Sequence, residues 1–139
     1  LTHCPDLSPY TYLAEFIPGG VKILTVGWLG PAQDFPVAEP TADFLQTLGV
    51  LCREHRSAVM RGYHVCGLDH DGDRPGYPYT IPSDPAATLL GDAELRVVAE
   101  DGIWLAAPNL IYHYVRDHHY APPAVFVEAV LARRVASSP

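Results

Sequence analysis

Apolar positions recur along this chain with two periods, and the places where one period yields to the other mark out its elements. From Val21 to Leu29 the residues alternate, with Val21, Ile23, Thr25 and Gly27 on one face and Lys22, Leu24, Val26 and Trp28 on the other. That period of two, in a run rich in β-branched side chains, predicts a strand. Before it, Tyr10, Tyr12 and Phe16 alternate loosely behind two prolines, which predicts an irregular N-terminal arm leading into a short edge strand. The prolines of residues 30–40 exclude both a helix and a central strand there. Phe44, Leu45, Leu48, Leu51, Cys52 and His55 then fall at helical spacing, with Thr41 placed to cap and Asp43 in the first turn, so residues 41–56 are predicted to be a helix. Cys52 lies on its apolar stripe and reads as a small core hydrophobe.

Val59 to Cys66 returns to alternation and predicts a further strand, with His64 and Cys66 on the same face. Glu94 to Ala107 predicts two strands around Glu100-Asp101-Gly102, a hairpin with glycine where positive φ is needed. Pro108 suits the first turn of a helix whose face carries Leu110, Ile111, Tyr114, Val115 and His118, and His119-Tyr120-Ala121 ends it. Pro122 and Pro123 open a last helix with Phe126, Val127, Val130 and Leu131 inward. Together these elements predict an α+β fold: a mainly antiparallel sheet of four to five strands, a helix after the second strand, and a C-terminal helical hairpin packed on one face. The length suits one compact domain over residues 1–139, with the arm at its start and a long loop near 67–93.

Composition and charge narrow the function classes. With 48% apolar and 18% charged residues the chain has the material for a core and is unlike a disordered sequence. Nine Lys and Arg against sixteen Asp and Glu give a net charge of −7, which argues against nucleic acid as a partner and leaves a basic or amphiphilic protein or a small neutral ligand. The absence of an apolar run near eighteen residues argues against membrane spanning, and no signal-peptide core is visible. Three cysteines, at 4, 52 and 66, make no compact disulfide framework, so the expected compartment is the reducing cytoplasm.

The chemistry concentrates in RGYHVCGLDHDGD, residues 61–73. His64 and Cys66, two apart on a strand face, direct an imidazole nitrogen and a thiolate to one point, and Asp69 or His70 follows after Gly67. Zinc tolerates such mixed N, S and O donors. His118, near the centre of an apolar helix face where an imidazole needs a partner, is the candidate to complete the set. His113 flanks that face and can meet Asp117 one turn on, which reads as a surface or boundary pair. Asp69, Asp71 and Asp73 do not make an EF-hand, because Gly72 stands at loop position four and Thr80 where the bidentate Glu belongs. Asp71 and Asp73 read as solvated turn residues. The alternative is a small enzyme of specialised metabolism: a pocket lined by Tyr112, His113, Tyr114, His118, His119 and Tyr120, with Cys66 or His118 as nucleophile, acid or base.

The segments PDLSPYTY, VGWL, RGYHVC, ELRV and APNLIYHYVRDHHYAPPAVFVEAV resemble one bacterial, mainly actinobacterial, family of small domains with no established activity. The resemblance spans most of the chain and implies a small soluble stand-alone protein. It also implies a His-x-Cys-x-x-Cys metal-ligand set at His64, Cys66 and position 69, where this chain carries Asp69, so that an Asp oxygen or His70 would stand in for the second thiolate. The function expected from residues and resemblance together is that of an accessory or interaction protein with a zinc site.

Overall fold

The computed structural model describes residues 3–11, 19–59, 64–68, 78–82 and 84–136. In chain order the elements are β1 (Ile23–Thr25), α1 (Ala42–Glu54), β2 (Glu94–Val98), β3 (Trp104–Pro108), α2 (Ile111–His118) and α3 (Ala124–Leu131). β2 and β3 form the expected hairpin, antiparallel from Glu94 opposite Pro108 to Val98 opposite Trp104, and Gly102 at φ +87° supplies its turn. β1 adds to the far side of β3 in parallel register, Ile23 beside Trp104 and Thr25 beside Ala106, giving the order β1-β3-β2.

The expected sheet of four to five mainly antiparallel strands is therefore corrected to a mixed sheet of three strands among the described residues. The parallel pair arises because the stretch carrying α1 leads into β2, which runs opposite to β1, and the β2–β3 hairpin then turns the chain back so that β3 runs alongside β1 in the same direction. The arm runs beside β1 but contributes only an isolated bridge, Pro9 to Leu24, since Pro5 and Pro9 carry no donor and Leu7 turns at φ +63°. Residues 12–18, part of the strand expected there, lie outside the described residues. Of the strand expected at 59–66, residues 60–63 lie outside them too. Residues 64–66 form no ladder: the His64 N–H goes to the Gly91 carbonyl at 2.8 Å and the Cys66 N–H to the Tyr79 hydroxyl at 3.3 Å. Among the described residues, one helix thus follows the first strand of the sheet.

α1 begins where Thr41 caps it, its hydroxyl accepting from the Phe44 N–H at 3.2 Å. Phe44, Leu48, Leu51 and Cys52 make its buried stripe. Burial pushes the Cys52 thiol up to about 12, as suits a core cysteine. Pro108 closes β3 and does not enter the helix; α2 starts three residues later. The helical hairpin expected at the C-terminus is corrected as well, because α2 and α3 each pack on α1, which is the helix they share. Phe126 and Val130 of α3 join Leu95, Val97, Leu105 and Ala107 of the sheet and the α1 stripe in the main core, whereas Leu131 is exposed. No helix among the described residues is long and apolar enough to cross a membrane.

The other sheet face carries Ile23 and Ala106 under Tyr10, Trp28 and Trp104. Glu94 and Arg96 share that face, buried and paired at 3.0 Å, and the Tyr10 hydroxyl donates to the Glu94 carboxylate at 2.8 Å. Tyr120, fully buried, donates to Asp6 at 2.7 Å and so holds the arm from the other end. Burial first, and the neighbouring carboxylates second, raise both phenols above the ordinary value near 10. A folded-state pKa raised this way gives stability that is present below pH 10 and lost above it, when the unfolded chain ionises first. Urea midpoints are therefore expected to begin falling above about pH 9, where the raised Cys52 thiol first counts, and to fall steeply between about pH 10 and 12. Tyr10→Phe combined with Tyr120→Phe should lessen that fall, leaving the share of the buried Tyr112, Tyr114 and thiols. An equally steep fall in the double variant would remove the phenols as its cause.

Candidate metal centre

α2 is buried from Ile111 to Val115 and again at His118, so its first turn has no solvent face. His113 is only 2% exposed and His118, the last residue of the helix, 8%. His119 then caps α2 in the left-handed region at φ +56°, its N–H on the Tyr114 carbonyl. Asp117 lies one turn beyond His113, and its Oδ2 sits 2.9 Å from His113 Nδ1. A carboxylate only accepts, so the proton belongs on Nδ1 and the lone pair of His113 on Nε2. That nitrogen lies 3.2 Å from His118 Nε2, with the two rings crossing at 84°.

Cys66 is brought to the same place by the 64–68 segment. Its Sγ lies 3.5 Å from His118 Nε2 and accepts the Leu68 N–H at 3.4 Å. Tyr79 joins the two pieces: its hydroxyl takes the Cys66 N–H, and its ring stacks on His113 with centroids 4.1 Å apart. Burial pushes the Cys66 thiol up to about 11; the Leu68 N–H opposes that and the Asp117 charge adds to it. Without a cation, then, Cys66 is a protonated, buried thiol at neutral pH, which disfavours a nucleophilic role.

Cys66 Sγ and one ring nitrogen each of His113 and His118 all lie within 4.8 Å of one another. For a tetrahedral zinc with Zn–N of about 2.0–2.1 Å and Zn–S of about 2.3 Å, the N···N edge is about 3.3 Å and the N···S edge about 3.6 Å. The two separations made by His118 Nε2, 3.2 Å to His113 Nε2 and 3.5 Å to Cys66 Sγ, match those edges to about 0.1 Å. Three soft or borderline donors on one point, one of them backed by a carboxylate on its other nitrogen, form a donor set that a single cation can satisfy. A family model described as "Domain of unknown function (DUF7919)" matches residues 2–131. The chain belongs to that family. No curated protein and no solved structure matches it.

In this DUF7919 member the structure brings together two of the sequence candidates, Cys66 and His118, and adds His113. His64 is exposed and is not one of the three, because without a strand at 64–66 the alternation that would aim it with Cys66 does not hold. Asp69 and His70 lie outside the described residues, as do Asp71 and Asp73. The pairing of His113 with Asp117 is as expected, and with His113 buried and Asp117 half-buried it is a boundary pair, not a surface one. A helical wheel puts residues five apart well off one face, and that hides His113 from His118. The sequence cue to it was the carboxylate four residues on, which leaves the imidazole's other nitrogen to face inward.

Proposed function

We propose that this chain is a small metal-binding accessory protein in which Cys66 Sγ, His113 Nε2 and His118 Nε2 hold one zinc ion. The supporting observation is that His118 Nε2 stands from both Cys66 Sγ and His113 Nε2 at the edge lengths of a tetrahedral zinc site, with donor atoms of all three residues within 4.8 Å of one another. Zinc imposes no geometry from its d-electrons and takes thiolate and imidazole together, so it suits this set better than the hard cations magnesium and calcium. Bound there, it would tie the 64–68 segment to α2 and serve as a structural centre on which a partner surface is built. The reducing cytoplasm is the compartment that keeps Cys66 available as a ligand. A net charge of −7 favours a basic protein partner over nucleic acid.

Cobalt(II) titration of metal-stripped protein tests this reading. We expect about one equivalent to bind, with a thiolate-to-cobalt charge-transfer band and the intense visible bands of a tetrahedral ion. Cys66→Ser should remove the charge-transfer band, His118→Ala should weaken binding severely, and His64→Ala should leave both intact. Wild-type protein that takes up less than about a tenth of an equivalent, or shows no thiolate band, would sink the proposal.

A further inference from the structure

Asp117 does more at this site than orient a ring. Its side chain is 14% exposed; Oδ2 takes the His113 Nδ1–H, while Oδ1 meets Arg116 Nη1 at 3.2 Å. Arg116 is a surface side chain, 40% exposed, so water shares and screens its charge. The three donors bring one negative charge in all, from the Cys66 thiolate, because both imidazoles are neutral when they ligate. Zinc(II) on that set leaves a net charge of +1, and a soft monovalent ion such as copper(I), which also favours thiolate and imidazole, leaves zero. Cys66, His113 and His118 are all buried. In such surroundings an unbalanced charge is expensive and a carboxylate at contact distance from a ligand is felt strongly.

Resting on the metal reading above, we propose that Asp117 is the specificity-determining residue of the centre: its carboxylate, bound to the back of His113, closes the charge balance for a divalent ion and leaves a monovalent ion with a surplus negative charge. It thereby selects zinc(II) over copper(I), which the donor atoms alone do not. Geometry and charge are separable here. Asn at position 117 keeps an oxygen that accepts from Nδ1–H and removes only the charge.

The test uses the full chain and two probes, zinc(II) and, under anaerobic reducing conditions, copper(I), each competed against a chromophoric chelator. Asp117→Asn is expected to lower zinc affinity about tenfold or more while copper(I) affinity stays unchanged or rises. Asp117→Ser, smaller and also uncharged, reads the same ratio independently of how Asn packs, and Asp117→Glu should recover the preference for zinc. Equal losses for both metals in the uncharged variants would show Asp117 to be a positioning residue only and overturn the proposal, as would an unchanged zinc affinity. Wild-type protein that binds neither metal would instead overturn the zinc reading on which this one rests.

Discussion

Adding zinc to the metal-stripped protein is expected to raise its unfolding temperature by about 10–15 °C. The donors sit on the 64–68 segment and on α2, which are dozens of residues apart in sequence, so an unfolded chain presents no preformed site and binding free energy becomes folding free energy. Zinc buffered at a thousand times its dissociation constant adds about 4 kcal/mol to the folded state. In a domain of 139 residues each kcal/mol moves the midpoint by about 2.5–4 °C. The increment should depend on pH in a defined direction. Burial holds the Cys66 thiol at about 11, so zinc must displace a proton to reach its ligand, and proton release makes binding tighter as pH rises. The zinc-dependent shift at pH 8 should therefore exceed that at pH 6. Differential scanning fluorimetry with zinc, magnesium and a chelator measures all of this. Cys66→Ser should lose most of the zinc increment, and magnesium should give none. A wild-type midpoint that is the same in zinc and in chelator would remove the metal from the account of this fold.

What the sequence disclosed about the fold follows from the range of the interactions involved. α1 was legible because Thr41, Asp43 and the Phe44-Leu48-Leu51-Cys52 stripe are local signals that the observed helix obeys. The β2–β3 hairpin was legible for the same reason, with Gly102 at its turn. Strand partners were not, since period two says that a segment is half-buried and says nothing of which edge it meets. β1 found the far edge of β3 across α1, while the arm and the 64–66 segment spent their donors on single contacts such as Thr25, Gly91 and Tyr79. At the candidate site, Cys66 and His118 stood out as chemistry on apolar faces. His64 joins the expected set only through a strand that residues 64–66 do not form, and His113 does not stand out as a ligand because a helix enclosed almost all round offers no outward face to betray a buried histidine. Such enclosure comes from α1, the Tyr79 ring and the shared core together, and no single segment encodes it.

Gly91→Ala is expected to destabilise the protein by about 3 kcal/mol and to weaken metal binding at least about tenfold in the molecules that still fold. Gly91 stands between the two ligand-bearing pieces: its carbonyl accepts the His64 N–H at 2.8 Å, and its own N–H donates to Asn109 Oδ1 at 2.8 Å, just ahead of α2. Its φ of +117° is a conformation that L side chains rarely adopt, and a Cβ there would lie 2.6 Å from the His64 carbonyl oxygen. That atom is backbone, so relief requires the 64–68 segment to move, and Cys66 moves with it away from α2. A zinc site tolerates only about 0.2 Å in its ligand distances. Gly102 provides the contrast. It also has positive φ, at +87°, but a Cβ there meets nothing within 4 Å, so Gly102→Ala should cost only about 1 kcal/mol of backbone strain and leave cobalt binding untouched. Urea denaturation and cobalt titration of the two variants side by side separate strain in a turn from displacement of a ligand. If Gly91→Ala matched Gly102→Ala in both measurements, the close passage of His64 over Gly91 would not be what sets Cys66 against α2.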